Sequence, residues 1–285
     1  NFSASTGKVT LTSLAGAGKT RFGAAADITG GIAEGTVTVV GALGANITGG
    51  TVNAGSITGN VSAGTVTAAT LSGNVTGGAV TPTGLLTGNV TAGTVAAGSM
   101  TGDVGSSVTV SGLLTGAITN GTNALGSLSS TSVTGGTNTI TGAATVTTVN
   151  GGTTTVGGVA TLTTVSNGTL NLNGATSSIG TLTDGTVNLG TTALTVNAGT
   201  FVGLLAGTNG SLIKATAGTL TLSGANTFGG GTTVNAGTLT VGNIGSLGTG
   251  AVTVAVGATL NLNNLGGTNV ITRLTDGTNF GTVTG

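Results

Sequence analysis

Apolar residues recur along the first half of the chain at intervals of 14 or 15 residues. They fall into three columns, where a column is the set of residues at equivalent positions in successive copies of the repeat. The columns are Ile32, Ile47, Val61, Val75, Val90, Val104 and Ile118; Val37, Val52, Val66, Val80 and Val95; and Leu43, Ile57, Leu71, Leu86, Met100, Leu114 and Leu128. One copy therefore has three short sides of 5, 5 and 4 residues, each with one inward apolar residue.

Small residues mark the corners between these sides. Gly59, Gly64 and Ala69 each lie two residues before an apolar position, and a residue with little or no Cβ suits a sharp bend. A unit of this length cannot bury its own apolar side chains, but copies stacked about 4.8 Å apart form a continuous core. The pattern predicts an all-β fold, a single-chain β-solenoid (parallel β-helix) whose N-terminal half has short triangular coils.

A polar column lies directly before the first apolar column. It consists of Asn46, Asn60, Asn74 and Asn89 and is continued by Asp103. Stacked asparagine amides hydrogen-bond along the axis of amyloid ladders. We therefore expect these side chains to form a structural ladder beside the core ladder that runs from Ile47 to Ile118.

The repeat pattern divides the chain into three regions. Residues 1–29 match the repeat poorly and hold four of the ten charged residues. Since solenoid ends need an atypical and more polar cover, we expect a cap or an assembly segment there. Residues 30–128 follow the short repeat, and residues 129–285 follow a longer one. We expect all three to form one continuous rod.

The second apolar column lapses near the end of the short repeat. Thr109 and Asn123 stand where valine is expected, while Val108 and Val110 are apolar. A shift of one residue points the side chains of a strand to the opposite face. The sequence therefore predicts a bulge or a change of cross-section at this point.

After residue 129 the repeat becomes Gly-Thr followed by alternating aliphatic and polar residues. Clear copies begin at Gly168, Gly185, Gly218 and Gly237, at least 17 residues apart. Alternation over five residues is typical of a half-buried strand. Longer spacing with the same alternation predicts wider coils in this half.

Part of this longer region resembles a known family. The stretch is Gly218-Thr-Leu-Thr-Leu-Ser-Gly-Ala-Asn-Thr-Phe-Gly-Gly-Gly-Thr-Thr-Val-Asn-Ala-Gly-Thr-Leu-Thr-Val241, followed by Gly250–Val254 and Gly257–Leu262. It closely resembles the autotransporter-associated β-strand repeat, which occurs in bacterial surface and secreted proteins. The resemblance implies a right-handed parallel β-helix that is extracellular, at the bacterial cell surface.

Composition excludes several functional classes. Five Lys+Arg balance five Asp+Glu, so the chain lacks the positive charge on which nucleic-acid binding depends. It has no His and no Cys, which removes thiol nucleophiles, histidine acid–base catalysis and typical zinc sites. No apolar run reaches the length of a membrane span. We therefore expect no enzyme activity, no catalytic residue, no cofactor and no metal.

Two patterns look like sites but lack the required residues. Gly16-Ala-Gly-Lys-Thr20 resembles the end of a phosphate-binding loop, but that loop requires a glycine where Ser13 stands and a strand-loop-helix context. We interpret it as a turn. A catalytic carboxylate pair would have to come from residues that are far apart in sequence, namely Asp27, Glu34, Asp103, Asp184 and Asp276.

Three functional hypotheses fit these observations. The main one is an extracellular structural protein, a β-solenoid subunit of a bacterial cell-surface fibre or filament that assembles head-to-tail with itself. The alternative is an adhesin or autotransporter passenger stalk that presents a binding tip to a host or neighbouring-cell surface. A remote alternative is an ice-binding protein, since Thr36/Thr38 and Thr65/Thr67 flank inward valines, although Asn53 interrupts that array.

The ends of a parallel coil are the places where such assembly is expected. They expose backbone donors and acceptors that pair with other chains unless something covers them. The residues that we expect in the axial contact are apolar and lie near the two ends of the chain: Phe2, Val9, Leu11, Phe280 and Val283. A contact of this kind is heterologous and propagates without closing.

Overall fold

The computed structural model describes residues 9–12, 14, 16–263 and 282–284. Within them lie 26 β-strands and one short 3₁₀-helix, Ile244–Leu247. The strands pair in parallel with strands of the neighbouring coils. The stacked coils form a β-solenoid of about 15 turns, which confirms the predicted all-β fold.

The strand bounds follow the two repeat lengths of the sequence. The earlier strands are β1 (Val9–Leu11), β2 (Lys19–Phe22), β3 (Ala26–Ile32), β4 (Thr36–Ile47), β5 (Thr51–Thr58), β6 (Thr65–Ser72), β7 (Val75–Pro82), β8 (Leu85–Thr87), β9 (Val90–Ala97), β10 (Ser99–Thr101), β11 (Val108–Thr115), β12 (Thr122–Val133) and β13 (Thr137–Ile140). The later strands are β14 (Ala144–Val156), β15 (Ala160–Leu172), β16 (Thr176–Leu182), β17 (Thr186–Asn188), β18 (Ala193–Phe201), β19 (Leu204–Ala206), β20 (Ser211–Lys214), β21 (Thr219–Leu222), β22 (Thr232–Val234), β23 (Thr238–Val241), β24 (Val252–Val254), β25 (Thr259–Asn261) and β26 (Thr282–Thr284).

The chain forms two compact units. The first consists of the described residues up to Ser130 together with Gly136–Asn138. The second consists of Thr131–Gly135 and the described residues from Thr139 onward. Each unit is built from stacked coils, and each has its own buried apolar residues.

Apolar columns form the core of the first unit. Val52 of β5 pairs with Val66 of β6, and Val66 pairs with Val80 of β7. All three side chains are at most 1% exposed. Thr65 and Thr67, on either side of Val66, are exposed. The polar-apolar alternation of the sequence is therefore the alternation of each strand between solvent and core.

The described part of the predicted cap segment is paired with the coils that follow it. Val9 of β1 pairs with Ala26 of β3, and Lys19 of β2 pairs with Thr36 of β4. Phe22 is only 1% exposed. These residues therefore form strands of the first unit despite their poor match to the repeat.

Near the end of the short repeat, the inward-facing and outward-facing positions of β11 are not exchanged. Val108 pairs with Val95, and Val110 pairs with Ala97. Both Val108 and Val110 are buried, whereas Thr109 is exposed. The preceding corner is one residue shorter, so our alignment of Thr109 with the valine column is wrong by one residue. The predicted irregularity lies further on, where the pairing of β11 with β12 shifts register after Val110.

Coils of the second unit are longer. Ala144 pairs with Ala160, whereas Leu239 pairs with Leu260, so the repeat lengthens from 16 to 21 residues. The inward positions remain aliphatic, and Leu239 and Leu260 are both fully buried. The wider spacing of the sequence repeat therefore corresponds to longer coils.

Candidate functional site

The predicted asparagine ladder lies along one side of the first unit, at exposed positions. Each side chain accepts a hydrogen bond through Oδ1 from the backbone N–H of the equivalent residue in the next coil. The N–H groups of Asn60, Asn74, Asn89 and Asp103 are 2.9, 2.8, 2.9 and 2.8 Å from the preceding Oδ1 atoms. Asp103 continues the column, because its Oδ1 accepts from the Ala117 N–H at 2.9 Å.

The chemistry of this ladder differs from the amide-to-amide stacking that we expected. The donor of each hydrogen bond is a backbone N–H. The residue in the preceding coil has to supply only a side-chain oxygen. This explains how Asp103 can replace asparagine, since a carboxylate offers the same acceptor. The column therefore adds a series of side-chain hydrogen bonds between coils that backbone pairing already joins.

A glycine precedes Asn60, Asn74 and Asn89, and it permits the close approach of coils at this corner. Gly73, which precedes Asn74, has φ +156°, and a Cβ at this position would lie 2.0 Å from the Gly59 carbonyl oxygen. Real Cβ atoms do not come so close to oxygen. Glycine is therefore required there both by its conformation and by its contact.

The predicted core ladder lies one residue further along the same side. Its members are 0% exposed and each is paired in parallel with the next: Ile47, Val61, Val75, Val90, Val104 and Ile118. Backbone hydrogen bonds join the chain around each inward side chain to the preceding coil and to the following one. The Val61 N–H donates to the Asn74 oxygen at 2.9 Å, and the Ser62 N–H donates to the Ile47 oxygen at 2.8 Å.

The predicted assembly residues are spread over the ends of the described chain. Val9 and Leu11 are half-buried in β1, where they pair with Ala26 and Ile28 of the same chain. Val283 is 42% exposed in β26, where it pairs with Leu260. Phe2 and Phe280 lie outside the described residues. β1 and β26 each have one partner strand among the described residues.

The sequence places Asn123 in the valine column, but its polar pairing with Asn138 inside the first unit was missed. Asn123 and Asn138 are 1% and 0% exposed. The Asn123 Nδ2 donates to Asn138 Oδ1 at 2.7 Å and to the Asn120 carbonyl at 3.1 Å, while its Oδ1 accepts from the Val108 N–H at 3.1 Å. Asn123 thus takes the place in the core column that Val108 occupies one coil earlier, with its amide satisfied.

Lys214 is a second inward polar residue that the repeat analysis missed. It lies between Val196 and Val234 in successive coils and is 0% exposed. Its Nζ donates to two main-chain carbonyls, that of Thr216 and that of Ala236, the latter at 3.2 Å. Burial lowers the pKa of Lys214. Alternation from Leu212 would have shown a charged residue at an inward position.

Asn226 links three successive coils of the second unit. It is 5% exposed. Its Oδ1 accepts from the Leu205 N–H at 2.8 Å, and its Nδ2 donates to the Ser246 carbonyl at 2.6 Å. Lys214 and Asn226 therefore both act as buried hydrogen-bonding links between coils, within one stretch of the chain.

Chemistry-bearing side chains do not converge in the part of the chain that the structure describes. No group of three or more His, Cys, Asp or Glu that could hold a metal ion occurs there. No helix in the described ranges has the length and apolar character needed to cross a membrane. The fold and these columns define a β-solenoid whose polar groups serve mainly to join coils.

Comparison with known proteins identifies the repeat. Residues 212–241 match the family model of the passenger-associated-transport-repeat. They contain β21, β22 and β23, with Lys214 and Asn226 among them. This match and the β-solenoid fit an autotransporter passenger repeat family, which confirms the resemblance of the sequence. No curated protein and no solved structure matches the chain.

Proposed function

We propose that the chain is a spacer of a secreted or surface-exposed bacterial passenger, a stalk that holds another part of the protein away from the cell. The observation that carries this proposal is the passenger-associated-transport-repeat at residues 212–241, set in stacked parallel coils. The proposed role is structural, and no enzyme activity belongs to it.

The surface chemistry supports a spacer more than a binding tip. Protein interfaces rely on tyrosine, tryptophan and arginine as anchors. This chain has no Trp and no Tyr, and only 4% of its residues are charged. Phe22, Phe201 and Phe228 are buried. Contact with a host or neighbouring-cell surface is therefore assigned to another part of the passenger.

The links between coils support mechanical stiffness. Each coil is held to its neighbours by backbone pairing, and the asparagine column adds a second series of bonds along one side. A repeat protein is stabilised by the interfaces of nearest neighbours. Bending such a stack requires several of these bonds to lengthen at once.

Surface display tests the stalk. The chain would be fused between an export signal and the membrane anchor of an unrelated autotransporter, with an epitope tag before residue 1. We expect antibody binding to the tag on intact cells and loss of the tag on protease treatment. Retention of folded chain inside the cell, with no tag outside, would contradict the proposal. The anchor without the chain is the control.

A homopolymer is the second candidate. It is favoured by β1 and β26, each of which pairs on one side only among the described residues. Open strand edges pair with other chains. In this case the partner is a second copy of the chain in an axial contact, and the product is a cell-surface filament.

Sedimentation velocity over a wide range of concentration separates the two candidates. A polymer grows with concentration and gives filaments in electron micrographs, whereas a stalk stays monomeric. Deletion of residues 1–14 removes β1, and for a polymer it should leave a folded monomer. Polymer growth that persists in the deletion variant would show that the axial contact does not need residues 1–14.

A further inference from the structure

A corner of the second unit brings a backbone nitrogen against a side-chain amide. Asn167 is exposed and is followed by Gly168, both within β15. The Gly168 N–H donates to the Asn167 Oδ1 at 2.7 Å. Because Oδ1 is bonded to Cγ, this contact holds the Gly168 nitrogen close to the carbon of the amide.

We infer that Asn167 is a site of spontaneous deamidation. The Gly168 nitrogen loses its proton and attacks Cγ, so that the N–Cγ bond forms and the Cγ–Nδ2 bond breaks. Nδ2 takes up a proton and leaves as ammonia. Water then opens the resulting succinimide at either carbonyl, giving aspartate or isoaspartate. The net change consumes one water and releases one ammonia, and it needs no enzyme.

The neighbouring asparagine one coil earlier is the natural comparison. Asn150 aligns with Asn167 and is also exposed and followed by glycine. Its Oδ1, however, accepts a hydrogen bond from the Ser166 Oγ at 3.1 Å. That bond ties the Asn150 amide to the next coil, whereas the Asn167 amide is turned toward its own following nitrogen. Asn167 is therefore expected to deamidate faster than Asn150.

Asp184 occupies the same corner one coil later. The Gly185 N–H donates to its Oδ1 at 2.7 Å, which repeats the geometry of Asn167. A carboxylate is a much poorer electrophile than a carboxamide, so Asp184 is not the first residue to react. Asp184 instead lies beside the aspartate or isoaspartate that forms at position 167. The two corners are in register because Thr169 pairs with Thr186.

Isoaspartate at position 167 disturbs the packing of the coils. It routes the main chain through Cβ and Cγ and so adds a methylene to the corner. Gly168 has φ +91°, and a Cβ built on it would lie 2.8 Å from the Gly151 carbonyl carbon. The corner is closely packed against the preceding coil, and the product also adds a negative charge beside Asp184. The strand that follows is expected to loosen.

Peptide mapping by mass spectrometry tests the inference. The folded chain and the same chain unfolded in urea are kept in mildly alkaline buffer at body temperature and sampled over time. In the folded chain we expect the conversion of Asn167 to exceed that of Asn150 several-fold. In urea the two rates should become similar, because the contacts that distinguish them are lost. Equal rates in the folded chain, or a faster Asn150, would overturn the inference.

Two variants complete the test. Ser166→Ala removes the hydroxyl that holds Asn150, and it should bring the Asn150 rate toward that of Asn167. Asn167→Gln keeps an amide but would have to close a six-membered ring, and it should abolish the conversion. Amide hydrogen exchange over residues 168–172 should rise with time in the original chain and stay constant in Asn167→Gln. A rise in both would show that deamidation is not its cause.

Discussion

Asn60 and Asn74 occupy equivalent positions in successive coils, and the Asn74 N–H donates to the Asn60 Oδ1 at 2.8 Å. The same bond recurs from Asn46 to Asp103, so one acceptor per coil maintains a regular spacing along this side. The acceptor, and not the amide as a whole, is the feature that each coil contributes.

The first prediction follows from that acceptor. Asn74→Ala leaves the Asn89 N–H without its side-chain partner and should lower the free energy of unfolding by about 0.5–1.5 kcal/mol. Asn74→Asp keeps the oxygen, as Asp103 does, and should cost less. Urea unfolding followed by circular dichroism measures both. Asn53→Ala, at an exposed position on another side, is the control. A loss in Asn74→Asp as large as in Asn74→Ala would refute the acceptor role.

The second prediction concerns the core ladder. Val75 is 0% exposed and is paired with Val61 and Val90. Val75→Asp would bury a carboxylate with no cation in these neighbours, which costs several kcal/mol. Thr76→Asp, at the exposed neighbouring position, should be nearly silent. The melting temperatures of the two variants give the comparison, and similar losses would refute the inward assignment of Val75.

The short coils were predictable from sequence because their signals are local. A small residue two positions before an aliphatic one fixes both the corner and the inward side chain, as at Gly59 and Val61. The choice of glycine at Gly73 reflects a contact with the preceding coil, so that choice is visible only once the coils are stacked.

The polar interior was not predictable in the same way. Asn123 falls in the valine column of the sequence, but nothing in the repeat shows how an inward amide is satisfied there. Its amide is satisfied by Asn138, which the sequence places 15 residues away with no apolar signal. Lys214 is a different case, because strand alternation marks it as inward while its charge argues for solvent.

A third prediction concerns the corner glycines. Gly73→Ala would place a Cβ 2.0 Å from the Gly59 oxygen at φ +156°. A non-glycine residue held at a sparsely populated positive φ costs about 1–3 kcal/mol before the clash is counted. Gly18→Ala is the matched control, since nothing lies within 4 Å of the added Cβ. We expect a clear loss of thermal stability for Gly73→Ala and little change for Gly18→Ala. An equal change in thermal stability for the two variants would contradict the close stacking of coils at this corner.

The last prediction concerns the pH dependence that Lys214 confers. Burial lowers its pKa below the ordinary value of 10.5 in the folded chain. Between the lowered pKa and 10.5 the unfolded chain binds more protons than the folded one, so this residue makes the free energy of unfolding rise with pH. The gain is about 1.4 kcal/mol for each unit by which the pKa is lowered.

Comparison with Lys214→Met isolates this contribution. Methionine fills the inward position without a titrating group, so the stability of the original chain relative to the variant should increase as the pH rises toward 10.5. Urea unfolding of both chains at a series of alkaline pH values measures that difference. Lys19→Met removes an exposed cation and controls for the change in net charge. A difference that stays constant with pH would show that Lys214 titrates alike in the folded and unfolded chain, and that its two carbonyl partners offset the cost of burial.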